Sequence, residues 1–187
     1  MPHLSGKTVA ILATDGFEQS ELTAPMERLQ EAGAKVEIVS PDAGKIRGWK
    51  EKDWGDSFAV DRKLSDARVE DYDALVLPGG QINPDLLRAD PEAVDFVRRF
   101  YQSKKPLAAI CHGPWLLIEA GVVKGLRATS YHSIRTDMVN AGAEWVDEEV
   151  VVDDGVITSR SPKDLGPFAD KIIEEIAEGR HRGRAVA

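Results

Sequence analysis

Residues 106–114 read PLAAICHGP, and this stretch decides the fold. Its apolar part, residues 106–110, is too brief for a helix and is typical of a buried strand. A Cys-His-Gly segment follows at residues 111–113, and Pro114 then opens an apolar stretch that Gly121 ends. Proline is tolerated in the first turn of a helix, and glycine is favoured just past its end. The stretch therefore predicts a strand, a tight turn carrying a cysteine, and a helix.

The same alternation of strand and helix continues along the chain. Further strands are predicted at residues 8–13, 35–40, 73–77, 149–152 and 156–159, and helices at residues 18–32, 91–103, 114–120, 134–141 and 163–178. Residues 45–70 are weakly periodic, and we expect a small hairpin or an excursion at the sheet edge around Gly48, Gly55 and Asp56. This order predicts an α/β fold with a mainly parallel sheet and helices on both faces. No repeat or linker interrupts it, so one domain is expected over residues 1–187, with a basic tail at about 179–187 that frays.

Composition narrows the classes of function. The 187 residues include 32 acidic and 24 basic side chains, for a formal charge of −8. Such a charge repels phosphate backbones and anionic lipid, so neither nucleic acid nor membrane is an expected partner. No apolar run approaches the roughly 20 residues that cross a bilayer, and the start of the chain lacks a signal-peptide pattern. Cys111 is the single cysteine, which excludes an internal disulfide and favours a reducing, cytoplasmic location.

The turn at Cys111 is a candidate for nucleophilic chemistry. Ligands of parallel sheets bind at the carboxyl ends of strands, where the loops at residues 15–21, 79–85 and 111–113 are expected to meet. Small residues on either side of a turn cysteine match the spacing of a nucleophile elbow. We expect the following helix to favour the thiolate, His112 to assist, and backbone amides at Gly79, Gly80 and Gly113 to form an oxyanion hole. The alternative is a buried, inert thiol.

Acidic side chains supply candidate partners for the thiol. Glu18 is read as a helix-terminus residue, whereas Glu21 is placed to donate a hydrogen bond to sulfur if held protonated. Asp85 is either a turn or cap residue or the acid that orients His112 in a Cys-His-acid arrangement. The remaining histidines lack metal-ligand spacing, so neither a metal site nor a cofactor is expected.

Five segments resemble one known family. They are residues 16–22 (GFEQSEL), 72–80 (YDALVLPGG), 109–114 (AICHGP), 140–146 (NAGAEWV) and 158–165 (TSRSPKDL). In order and spacing they are similar to the PfpI family of intracellular cysteine peptidases, within the ThiJ/PfpI superfamily of Parkinson-associated deglycase. The resemblance implies a flavodoxin-like three-layer sandwich, like class I glutamine amidotransferases, that assembles as homodimers and sometimes hexamers.

The resemblance also implies roles for individual residues. The nucleophile falls on Cys111, the histidine on His112 and the sulfur-binding glutamate on Glu21. The acid that a neighbouring subunit contributes falls on Asp85, a shorter side chain than the family's glutamate. Trp115 stands where glutamine is frequent, so it is expected either to alter the pocket wall or to anchor the core.

Three functions follow as hypotheses. The first is a cofactor-independent stress-response enzyme, a glyoxalase or deglycase, whose Cys111 thiolate attacks a small reactive carbonyl or its protein adduct. The second is a peptidase whose Cys-His-acid triad is completed across a subunit interface. The third is a non-catalytic redox sensor or chaperone-like stress protein in which Glu21 holds oxidised Cys111. A glutamine amidotransferase is discounted because the His-x-Glu pair that it needs downstream is missing.

Overall fold

The computed structural model describes residues 2–179. Its strands, in chain order, are β1 (Thr8–Leu12), β2 (Phe17–Glu18), β3 (Lys35–Ser40), β4 (Lys45–Lys50), β5 (Asp53–Ala59), β6 (Arg62–Lys63), β7 (Ala74–Leu77), β8 (Leu107–Ile110), β9 (Arg127–Ala128), β10 (Glu144–Trp145), β11 (Val150–Asp153) and β12 (Val156–Ser159). The helices are α1 (Gln19–Glu31), α2 (Ile82–Arg88), α3 (Pro91–Gln102), α4 (Pro114–Glu119), α5 (Arg135–Asn140) and α6 (Leu165–Glu178). Most of the predicted tail, residues 180–187, lies outside the described part of the chain.

A seven-stranded sheet in the order β11-β12-β8-β7-β1-β3-β6 forms the middle layer. Only the β11–β12 pair is antiparallel; the other neighbours pair in parallel. Helices α1 and α6 pack together over one face, and α2 to α5 cover the other. Both faces bury aliphatic and aromatic side chains, including Phe17 and Phe168 on the first and Phe96 and Phe100 on the second. The predicted α/β sandwich is confirmed.

The sheet order places the predicted loops at one edge. Strands β12, β8, β7 and β1 are consecutive neighbours and run parallel, so the segments that follow them meet at their carboxyl ends. The turn at Cys111 follows β8, the Gly79-Gly80 turn follows β7, and Thr14 follows β1. Ligands of open parallel sheets bind at this edge.

The hairpin within residues 45–70 is confirmed, but its turn is not at the glycines. Strands β4 and β5 are antiparallel around Glu51, which has a φ of 58°. Gly48 and Gly55 lie inside the strands. A β-carbon on Gly48 would lie 3.1 Å from the Phe17 ring, and one on Gly55 would lie 2.1 Å from the amide oxygen of Gln19. These glycines therefore permit close packing of the hairpin on β2 and α1 rather than forming the turn.

Helix α2 is a second departure, because the sequence predicted a loop up to Asp85. The helix starts immediately after the Gly79-Gly80 turn, and its proline falls in the first turn, where a missing N–H costs nothing. The side chain of Asn83 is fully buried. It accepts a hydrogen bond from Thr14 N–H (2.8 Å) and donates to the carbonyls of Pro78 (3.0 Å) and Gly79 (3.2 Å). One amide thus joins the ends of β1 and β7.

We expect Asn83→Ala to lower the free energy of unfolding by about 2–4 kcal/mol, because it removes three hydrogen bonds that a fully buried amide makes to the ends of β1 and β7. Urea unfolding followed by circular dichroism measures the change. Glu92→Ala, on the exposed surface of α3, is the matched control and should change stability by less than about 0.5 kcal/mol. Equal stability of the two variants would contradict the role assigned to Asn83.

Candidate active site

The backbone at Cys111 is strained and tightly enclosed. Its φ of 62° lies in the left-handed region, which costs a residue other than glycine roughly 1–2 kcal/mol. Its N–H donates to Ser159 O (3.1 Å) and its carbonyl accepts from Tyr131 N–H (2.9 Å). A β-carbon on Gly113 would lie 2.5 Å from Leu77 O. Neighbouring elements therefore hold the cysteine in the sharp turn typical of a nucleophile elbow.

The thiol lies at the floor of a cavity of about 580 Å³. Only 6% of the Cys111 residue surface is exposed, yet its side chain lines this cavity. Backbone N–H groups of Gly80 and His112 lie near enough to the sulfur to lower the pKa of the thiol. The sulfur lies 3.2 Å from Nδ1 of His112. The alternative of a thiol sealed in the core does not fit this position.

Glu21 reaches the thiol from α1 and is completely buried. Its Oε2 accepts a hydrogen bond from Gly79 N–H at 2.7 Å. Its Oε1 has no nitrogen or oxygen partner, and the carboxyl group interacts with the Cys111 side chain. Burial raises the pKa of Glu21 well above its ordinary value, against the hydrogen bond from Gly79, and the charge of Glu18 raises it further. A carboxyl group in these surroundings holds its proton near neutral pH.

The surroundings raise the pKa of the Cys111 thiol rather than lowering it. Burial is the largest cause of the raised pKa, and an ionised Glu21 would raise it further, whereas the N–H groups of Gly80 and His112 lower it. Because Glu21 holds its proton near neutral pH, burial dominates there. The helix-terminus effect expected from the sequence is outweighed, because α4 has only 6 residues and the sulfur is removed from water. The resting thiol therefore keeps its proton until a base takes it.

His112 is a neutral base next to that thiol. Burial and, to a smaller extent, nearby His132 lower its pKa to about 4, against an opposing effect of Asp137. Its ring stacks on Tyr131 with centroids 4.9 Å apart, and the edge of Trp115 packs against it at 5.0 Å. Its second nitrogen, Nε2, lies 3.3 Å from Ser133 Oγ. The imidazole is consequently uncharged at pH 7 and fixed in orientation from several sides.

The backbone N–H groups around the turn are not equally available. That of Gly79 is taken by Glu21, and that of Gly113 donates to Ile110 O at 2.8 Å. The N–H groups of Gly80 and His112 face the sulfur. Of the glycines named from the sequence, only Gly80 presents a donor to the cavity, because the other two amides hold the turn together.

Asp85 and Trp115 are not among the described residues that line the cavity. The exposed carboxylate of Asp85 pairs with Arg88 at 2.6 Å, one turn along α2, and within the described chain it does not orient His112. Arg88 in turn lies over the Trp115 ring at 4.1 Å. Trp115 is half-buried and donates through Nε1 to Asp137 (3.0 Å). It is neither a core anchor nor part of the cavity lining; it supports the edge of His112.

Several cavity residues were missed from the sequence. Trp49 and Glu51 arrive from the β4–β5 hairpin, and Tyr131 comes from the segment that pairs with the cysteine turn. Glu18, assigned to the helix terminus, also lines the cavity. The two tryptophans of residues 45–70 were the feature of the sequence that could have indicated a role for this segment at the cavity. The sequence did not place the hairpin there, because its position depends on the pairing of β4 with β2. Among the described lining residues there are three carboxyl groups and no lysine or arginine.

The described residues show no arrangement of three or more His, Cys, Asp and Glu side chains suited to holding a metal ion. No helix within residues 2–179 combines the length and apolar character needed to cross a membrane.

Replacing Glu21 tests its protonation. We expect Glu21→Gln to leave the apparent pKa of the Cys111 thiol within about half a unit, since glutamine is uncharged like the protonated acid. Glu21→Leu removes the polar partner of both Gly79 and the sulfur and should raise this pKa. The measurement is the rate of alkylation by iodoacetamide against pH. A fall of more than about one unit in Glu21→Gln would show that the carboxylate is ionised at rest.

The acidic lining should discriminate between reagents by charge. We expect iodoacetate to react with Cys111 at least several-fold more slowly relative to iodoacetamide than it does with free cysteine, because carboxylates at the cavity repel it. Glu51→Gln should bring the rate of iodoacetate closer to the rate of iodoacetamide, whereas Glu92→Gln, remote on α3, should leave the ratio of the two rates unchanged. Equal discrimination in all these proteins would exclude an electrostatic effect of the lining.

Comparison with known proteins agrees with this arrangement. The sequence profile of the DJ-1/PfpI family matches residues 7–175. General stress protein 18 of Bacillus subtilis is 46% identical over 165 residues, covering 87% of this chain and 94% of that protein. Deglycase PfpI of Pyrococcus furiosus is 45% identical over 166 residues (89% and 97% coverage). Protein/nucleic acid deglycase 2 of Escherichia coli is 45% identical over 164 residues (87% and 93%).

A solved structure extends the likeness to three dimensions. The crystal structure of Drosophila melanogaster DJ-1beta superposes with a TM-score of 0.82 at 31% identity, covering 91% of this chain and 90% of that one. The parallel sheet, the strained cysteine turn after β8 and the sequence match over 169 residues (7–175) together give one conclusion. The chain belongs to the DJ-1/PfpI family.

Proposed function

We propose that this protein is a cofactor-independent cysteine hydrolase of the deglycase and glyoxalase type. The observation that carries the proposal is the Cys111 sulfur at the cavity floor, 3.2 Å from a neutral imidazole nitrogen. The names of the P. furiosus and E. coli relatives support it. The substrate is a small 2-oxoaldehyde such as methylglyoxal, or the early adduct that it forms on a protein.

The first step is transfer of the thiol proton from Cys111 to Nδ1 of His112. The sulfur then attacks the carbonyl carbon, forming a C–S bond while the C=O π electrons move to oxygen. The N–H groups of Gly80 and His112, which face the sulfur at rest, donate to that oxyanion. Return of the proton from His112 gives a hemithioacetal.

The second stage releases the product. The C–H proton of the hemithioacetal carbon moves to the adjacent carbonyl carbon, and the hydroxyl proton moves to the oxygen of that carbonyl, which converts the intermediate into the thioester of a 2-hydroxy acid. Water cleaves the C–S bond of the thioester, which yields a hydroxy acid and restores the thiol. Glu21, protonated beside the sulfur, stabilises the departing thiolate by donating a hydrogen bond to it. The reaction consumes one water and no redox equivalents.

The negative charge of the protein and of its cavity favours some substrate molecules over others. With a formal charge of −8 and a carboxyl-lined cavity, the protein is suited to neutral carbonyls and polypeptide adducts. The name of the E. coli relative includes nucleic acid as well as protein, but a phosphate backbone is repelled by this charge. We propose a reducing cytoplasm as the compartment, where the single thiol stays available.

A peptidase is the second candidate, and it depends on assembly. We propose a homodimer, with a hexamer as the larger form, in which Asp85 of one subunit approaches His112 of another. In support, Ile82 and Leu86 on the same helix as Asp85 are 38% and 51% exposed, which leaves an apolar face for a partner. In the free subunit Asp85 is bound to Arg88, so peptide cleavage requires that this pair reorganises.

A redox role uses the same buried carboxyl. Oxidation of Cys111 to a sulfinic acid would place an oxygen next to Glu21 Oε1, which lacks a nitrogen or oxygen partner, and a protonated carboxyl can donate to it. Mass spectrometry after mild peroxide treatment tests this alternative. If Cys111→Ala protects cells as fully as the wild-type protein, protection needs neither catalysis nor oxidation at Cys111, and a chaperone-like scaffold role is favoured instead.

We expect Cys111→Ala to reduce methylglyoxal consumption and lactate formation to background, and His112→Asn to reduce them by about 100-fold or more, the usual contribution of a general base. His3→Asn, an exposed histidine, is the control and should retain full activity. Both assays are run after EDTA treatment and alongside a fluorogenic peptide. Full methylglyoxal turnover by Cys111→Ala would refute the proposal, and Cys111-dependent cleavage of the peptide alone would favour the peptidase.

A further inference from the structure

The imidazole of His112 lies between two hydrogen-bonding partners from its own chain. Nδ1 is 3.2 Å from the Cys111 sulfur, and Nε2 is 3.3 Å from Ser133 Oγ. Ser133 lies in a single turn of 3₁₀-helix, His132–Ile134. Tyr131, directly before that turn, donates its N–H to the carbonyl of Cys111 at 2.9 Å. The backbone that carries the serine is therefore bonded to the backbone of the nucleophile.

The tautomer of this imidazole decides whether it can act as a base. A neutral imidazole has one N–H, and Nδ1 can take the thiol proton only when that hydrogen is on Nε2. An N–H on Nε2 in turn needs a hydrogen-bond acceptor. In other proteins the acceptor for such a ring N–H is often a carboxylate or a backbone carbonyl.

Nearby carboxylates are engaged elsewhere in the described chain. Asp85 is bound to Arg88, and Asp137 accepts from Trp115 Nε1 at 3.0 Å. The partner that the described residues offer to Nε2 is the hydroxyl of Ser133. A serine oxygen has two lone pairs, and because Ser133 is exposed its own hydrogen can bond to solvent.

We propose that Ser133 is a positioning residue that accepts the Nε2–H of His112 and so keeps Nδ1 free to deprotonate Cys111. The inference rests on the proposed role of His112. In the step that it assists, the S–H bond of Cys111 breaks and an Nδ1–H bond forms, while Nε2–H stays hydrogen-bonded to the serine. Ser133 therefore has the role that the acidic residue has in a Cys-His-acid triad, and it comes from the same subunit as His112.

The test uses four variants of the full-length protein: Ser133→Ala, Ser133→Thr, Asp85→Asn and, as control, Thr136→Ala. Thr136 is exposed one position beyond the start of α5, so its variant removes a hydroxyl from the same surface. Two quantities are measured for each: the rate of Cys111 alkylation by iodoacetamide at pH 7, and the tautomer of His112 by nitrogen-15 NMR, assigned with His112→Asn.

We expect the Nε2–H tautomer in the wild-type protein. Ser133→Ala should slow alkylation about two- to tenfold, the effect of one neutral hydrogen bond, and shift the population toward Nδ1–H. Ser133→Thr should restore both, and Thr136→Ala should change neither.

The proposal is overturned if the wild-type imidazole carries its hydrogen on Nδ1, or if Ser133→Ala changes neither quantity. It is also overturned if Asp85→Asn alone produces the effects, because a carboxylate from another subunit would then occupy Nε2. Neither readout uses a carbonyl substrate, so this failure is distinguishable from failure of the proposed function, which is judged by Cys111-dependent methylglyoxal loss.

Discussion

The contact between the buried carboxyl of Glu21 and the Cys111 sulfur is the constraint on which the site depends. The same carboxyl accepts the N–H of Gly79 at 2.7 Å, so it joins α1 to the turn after β7 while it faces the turn after β8. The three segments are packed so closely that position 79 can hold no side chain. A β-carbon on Gly79 would lie 2.5 Å from Glu21 Oε2 and 2.7 Å from Cys111 Cβ. Removal from water keeps the acid protonated and able to donate to whatever charge develops on sulfur.

Under the proposed mechanism, this arrangement yields a thiolate only when a base removes the thiol proton. Burial disfavours both a thiolate and an imidazolium, so the resting pair of Cys111 and His112 is neutral. When the proton passes between them, two opposite charges form side by side, and their attraction offsets part of the cost of burying each. The N–H groups of Gly80 and His112 stabilise the negative partner.

The strained turn is maintained by elements distant in sequence. Ser159 accepts the N–H of Cys111, Tyr131 donates to its carbonyl, and Asn83 ties the neighbouring turn to the end of β1. A left-handed conformation at a residue other than glycine persists only when its surroundings determine it so fully. The β4–β5 hairpin contributes Trp49 and Glu51 to the cavity lining, and it is held there by pairing of β4 with β2.

The residues 106–114 by themselves determined the strand, turn and helix around Cys111, and local pattern determined the α/β class, because apolar periodicity and the placement of proline and glycine act over a few positions. The chemistry of the cysteine was decided by tertiary structure. Whether the thiol is acidic depends on burial and on Glu21, 90 positions earlier in the chain. The side chain of Asn83 bonds to the end of β1, 69 positions away. Through-space desolvation and hydrogen bonds between distant segments have no signature in local sequence, and they outweighed the helix-terminus effect that the sequence alone suggested.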